Sequence, residues 1–99
     1  MADFSVTVDQ LKNIKEQLSQ LNAQFNSQKG KLAETGASLN SMWEGEAKTK
    51  FSEELNKDQI QMGNFYNAVA NYVTTLGNII TKYEQAEMRS LEIATTRKR

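Results

Sequence analysis

Three observations predict an all-α fold, built as an antiparallel helix-turn-helix hairpin. The chain contains no proline, its apolar residues recur in steps of three and four on both sides of the middle, and Trp43-Glu44-Gly45 separates the two runs. Proline breaks helix interiors because it lacks a backbone donor and clashes with the preceding turn. A proline-free chain rich in Gln, Glu, Lys, Leu and Ala therefore meets no hard stop. Alternating steps of three and four keep side chains on one side of a helix, so each run reads as a stripe that a neighbouring helix covers.

The first helix is expected over about residues 7–40. Thr7-Val8-Asp9-Gln10 has the form of a capping box, in which Thr7 accepts from the Gln10 amide while the Gln10 side chain reaches back. Leu11, Ile14, Leu18, Leu21, Phe25, Gln28, Leu32, Thr35 and Leu39 then form a heptad seam with two polar members. Gly30 and Gly36 each cost about 1 kcal/mol relative to alanine, but the seam keeps its register across both, which indicates a softened helix and not a break. The turn is placed at 41–46, where small and polar residues and Gly45 can reverse the chain. The second helix follows over about 47–88, and the tail to 99 is read as flexible. The second seam runs through Phe51, Leu55, Asp58, Met62, Phe65, Val69, Tyr72, Leu76, Ile79, Tyr83 and Ala86, with Asp58 as its one charged member.

The second helix carries another three-four series, Gly63, Tyr66, Ala70, Val73, Gly77 and Ile80, rotated by one residue from the first. A lone hairpin occupies one of the two stripes. The small-and-large series is therefore assigned to an interface with a second molecule, since small residues at helical spacing let another helix approach closely, and two hairpins then make a four-helix bundle. One wide apolar face shielded by long side chains is the alternative.

Composition narrows the function. Twelve basic and twelve acidic residues cancel, so no long-range field draws the chain to nucleic acid or an anionic membrane. Cysteine is absent, which excludes disulfides and thiolate metal sites. Histidine is absent too, removing the commonest metal ligand and the usual acid–base group near neutral pH. No catalytic residue, metal site or cofactor is assigned. The N-terminus lacks a basic start followed by an apolar run, and no segment is long and apolar enough for stable membrane insertion. The function left is recognition of other proteins.

At the turn, Trp43-x-Gly45-x-Ala47-x-x-x-Phe51, preceded by Leu39, resembles the WXG family of ESAT-6-like proteins. Chain length, the mid-sequence Trp-x-Gly, a helix on each side and the lack of cysteine all agree with it. The resemblance implies a hairpin that dimerises with itself or a sibling. It also implies export without a cleaved signal by a type VII secretion system of Gram-positive bacteria or mycobacteria, and hence an extracellular location. Family members carry a Tyr-x-x-x-Asp/Glu export motif late in the second helix, matched here by Tyr83 and Glu87, which the membrane ATPase of that system would read. Counted from the turn, Tyr83 lies level with Thr7, so the residues after it are expected to project beyond the first helix. The plainer reading of Tyr83 is an ordinary seam residue, and the family motif favours the recognition role.

Trp43 is read either as a plug of the hairpin end or as a partner contact. Gly45 is read as structural, permitting a close turn or a helix cap. Arg97-Lys98-Arg99 is read as solvated, with contact to a membrane surface or the ATPase as the other option. The competing function is an intracellular helical adaptor or chaperone that pairs with a larger secreted client through the Gly63–Ile80 stripe.

Overall fold

Two helices make up the described chain, α1 (Phe4–Asn40) and α2 (Glu46–Arg97), packed antiparallel. This computed structural model describes residues 4–97, with side chains described over 7–93. The hairpin is a rod of 82 × 16 × 15 Å with a radius of gyration of 22.7 Å. A compact domain of this length would have about 13 Å.

Both helices run further than the capping and composition signals suggest. α1 begins at Phe4, so Thr7-Val8-Asp9-Gln10 lies inside the helix and does not form its N-terminal cap. No glycine or proline stands between Phe4 and Thr7 to stop the helix there. α2 continues to Arg97 instead of yielding to a flexible tail after residue 88, because Met88, Arg89, Leu91, Glu92 and Ala94 are tolerated well in a helix. Lys98 and Arg99 lie outside the described residues, as does the side chain of Arg97.

α1 passes unbroken through Gly30 and Gly36, but the two positions differ. Gly30 has open space around it, whereas Gly36 is buried and Leu55 of α2 packs where a methyl group on it would stand. The glycine thus lets the two helices approach just before the turn.

The reversal occupies residues 41–45. Met42 N–H donates to Leu39 O at 3.0 Å and Trp43 N–H to Asn40 O at 3.3 Å, so α1 tightens before it ends, which satisfies carbonyls left open at a helix terminus. Gly45 then adopts φ +81°, a left-handed conformation that costs an L side chain roughly 1–2 kcal/mol. Its carbonyl accepts from Thr49 N–H at 3.3 Å and so begins the hydrogen-bond ladder of α2. Across the seam, Ser52 Oγ donates to Asn40 Oδ1 at 2.9 Å and ties the two helix ends together.

The interior is thin. Among the described residues the buried apolar side chains are Val8, Val69 and Ile80, and none is wholly enclosed. Asn22 is buried with them, its Nδ2 donating to Tyr66 O at 3.1 Å while its Oδ1 has no partner among the described residues. A polar side chain held in a helix seam favours one register over its neighbours.

Candidate protein-interaction surface

The contact between the helices has two edges of different chemistry. On one edge Lys15, Asn22 and Lys29 of α1 repeat every seven residues, and Gly63, Ala70 and Gly77 of α2 do the same. A methyl group on Gly63 would lie 3.8 Å from Lys29 Cε, and one on Gly77 would lie 3.5 Å from Lys15 Nζ. The ends of the lysine side chains thus cross the helix where it has no side chain. Lys12 and Glu84 close this edge near the open end with an ion pair of 3.0 Å. Both partners are about half exposed, so its contribution is about 0–1 kcal/mol.

α1 takes part of both stripes of α2: Val69 of the first is buried and Leu55, Met62 and Leu76 are half-buried, while Asp58, Phe65 and Tyr72 stay exposed. Ile80 is 5% exposed, and Gly63, Tyr66, Val73 and Gly77 are half-buried by α1 of the same chain, while Ala70 stays exposed on a shallow groove beside Asn22. The small residues do admit a close neighbour, but that neighbour is α1. The seam of α1 is rotated to match, with Val8, Leu11, Lys15, Leu18, Asn22 and Lys29 turned inward and Ile14, Leu21, Gln28, Leu32 and Thr35 left outside. The signal for this arrangement was present in the sequence as two matching seven-residue repeats, one of lysine and asparagine and one of glycine and alanine.

The other edge is apolar and open. Phe25 and Phe65 meet edge to face across the seam with ring centroids 5.2 Å apart, yet Phe65 remains 55% exposed. Tyr72 and Ile79 continue from Phe65 at seven-residue steps and share its side of α2, with Tyr72 59% exposed. Leu21, 60% exposed, borders the same groove as Leu18, Phe25, Phe65 and Val69. A row of large apolar side chains on a surface of this kind marks a site of protein contact.

At the turn, Trp43 leans on Phe51 in the second turn of α2, with centroids 5.2 Å apart and planes at 78°. It keeps 38% of its surface exposed, so the indole both packs and presents a face to solvent. Tyr83 stands at the far end of the apolar edge, and Glu87 is half-buried one turn later. α1 starts early enough to cover α2 to about this level, as the pairing of Lys12 with Glu84 shows. The stretch that projects beyond α1 therefore begins after Glu87 and not directly after Tyr83. Met88, Leu91 and Ile93 are exposed on it.

Among the described residues no group of His, Cys, Asp or Glu could hold a metal ion, and no helix is long and apolar enough to cross a membrane. No curated protein and no solved structure matches the chain. The sequence profile of one family does, aligning over residues 3–88 and so over both helices and the turn between them. With the Trp43-x-Gly45 turn joining two long helices, the chain belongs to the WXG100 family, described as proteins of 100 residues with WXG.

Proposed function

We propose that this protein is a small secreted, non-enzymatic interaction protein, exported by a type VII secretion system and acting as a dimer with itself or a sibling of the same family. Membership of the WXG100 family over residues 3–88 is the observation that carries the reading. The open apolar edge supports it, since a two-helix rod with three buried apolar side chains among its described residues gains most of its remaining core from another molecule. Tyr83 and Glu87 share one side of α2 at i, i+4, just before the helix outruns α1, and form the address read by the membrane ATPase of the secretion system. Trp43, partly open at the opposite end, supplies a second contact point.

Export and folding separate at Glu87. Removing a half-exposed carboxylate changes stability within about 0.5 kcal/mol, so Glu87→Ala remains helical by circular dichroism. In the native host it is expected to stay in the cell lysate while the parent protein enters the medium. Normal secretion of the folded variant would remove the address from this site. An intracellular adaptor, the competing function, predicts that the parent protein itself never reaches the medium without lysis.

A further inference from the structure

The edge of the hairpin opposite the apolar one is flanked by small, uncharged residues. On α1, Ser19, Ala23, Asn26, Gly30, Ala33 and Ala37 follow one another in steps of three and four, all of them exposed. On α2, Asn56, Gly63, Ala70 and Thr74 run alongside, and neither row holds a charged or bulky side chain. Two shallow grooves lie between the rows, one of about 200 Å³ beside Ser19, Ala23 and Ala70, the other of about 300 Å³ beside Ala33, Ala37 and Asn56. Asn22 lines the first. It is 7% exposed and its Oδ1 has no partner among the described residues, a hydrogen bond that is costly to leave unmade. Lys15 and Lys29 stand seven residues to either side of Asn22, with their ends over Gly77 and Gly63 on this same edge. Neither has an ion-pair partner among the described residues.

We propose that a helix of a different protein docks along this edge. Its contact face is made of alanine, glycine or serine, it carries two carboxylates fourteen residues apart for Lys15 and Lys29, and it places a hydrogen-bond donor midway for Asn22. Small residues on both sides of a contact let helix axes approach to about 8 Å, the short end of the usual range. Lys15 and Lys29 are separated by about 21 Å at 1.5 Å per residue, and a straight partner helix repeats that span between its own acids. Covering the groove strips water from both cations, so the occupant has to answer them with opposite charge. The chain's own helices lack this pattern, since no two acidic residues within α1 or within α2 are fourteen apart. A second copy is therefore not the occupant. The site lies away from Phe65 and Tyr72, leaves the dimer contact free, and operates whether or not the chain is exported.

The test combines the isotope-labelled full chain with an alanine-rich helical peptide that carries two glutamates fourteen residues apart and a glutamine midway. The peptide is expected to shift the amide signals of Ala23, Ala33 and Ala70 with a Kd below about 1 mM. A twin with lysines in place of the glutamates should bind at least about tenfold more weakly, and one with leucine in place of the glutamine about threefold. Ala23→Phe and Ala70→Phe, both at exposed positions, fill the groove and should weaken binding about tenfold, whereas Gln24→Phe on the far side of α1 should not. Lys15→Glu combined with Lys29→Glu should reverse the choice between the glutamate and lysine peptides, a readout that stands even where a phenylalanine variant loses helix by circular dichroism. No saturable shift by about 1 mM, equal affinity for the two charged peptides, or shifts gathered at Phe65 and Tyr72 overturns the proposal. A loss for Gln24→Phe equal to that for Ala70→Phe overturns the position of the site, and a leucine peptide that binds as well as the glutamine one removes Asn22 from the contact.

Discussion

Over residues 63–80, α2 presents two edges built on opposite plans. One is small, with Gly63, Ala70 and Gly77, and α1 lies against it through Lys15, Asn22 and Lys29. The other is bulky, with Phe65 and Tyr72 more than half exposed and Ile79 37% exposed. Burial strength alone would assign them the other way, since a fully buried large apolar side chain contributes roughly 1.5–3 kcal/mol and a glycine contributes almost none. The arrangement follows instead from the shape of α1, whose heptad positions 15, 22 and 29 carry long or polar groups that fit only over a helix surface with room for them. Val69 and Ile80 close the two-helix contact, and the aromatic bulk of Phe65 and Tyr72 is kept on the side where more helices can enclose it.

Adjacent isoleucines give the sharpest way to break this comparison. Ile80 is buried in the seam and Ile79 lies on the open edge. Ile80→Ala is expected to cost about 2–4 kcal/mol in urea unfolding at every protein concentration, the usual penalty for truncating a buried aliphatic side chain. Ile79→Ala, at a side chain 37% exposed, should cost the dilute protein clearly less than Ile80→Ala and lose further stability as concentration rises. Equal effects on dilution would mean that the two edges do not differ as the structure has them.

A smaller effect is expected at the turn. Trp43 keeps about a third of its surface in water, so Trp43→Ala should cost about 1–2 kcal/mol, below the 3–5 kcal/mol of a fully enclosed tryptophan. A loss at the upper figure would show that the indole is covered in the assembled protein. The wavelength of emission from the single tryptophan before and after assembly reports this directly.

The smallest expected difference compares two glycines of α1. Gly30→Ala should stabilise the protein by about 0.5–1 kcal/mol, because nothing stands near the added methyl group and the helix loses a flexible link. Gly36→Ala should forfeit that gain, since the Leu55 side chain has to move aside. Parallel thermal melts of the two variants check it, and an equal rise at both sites would remove the close contact between Gly36 and Leu55 from the account.

Much of this protein was determined by its sequence. The absence of proline and the three-four spacing lead to two long helices, and the polar stretch ending in Gly45 leads to one reversal, since few other residues accept a φ of +81°. Trp43-x-Gly45 in a chain of 99 residues pointed to the family that the profile over 3–88 establishes. Helix ends were less legible: Thr7-Val8-Asp9-Gln10 has capping chemistry, but nothing upstream forces the helix to begin there. The choice between the two edges of α2 was decided only by tertiary structure. Helical spacing fixes the angle between two stripes on one helix, but not which of them a neighbour takes. That depends on the fit of both surfaces at once, on whether Lys15, Asn22 and Lys29 find glycine and alanine opposite them and whether Leu55 finds Gly36, and neither helix carries that information alone.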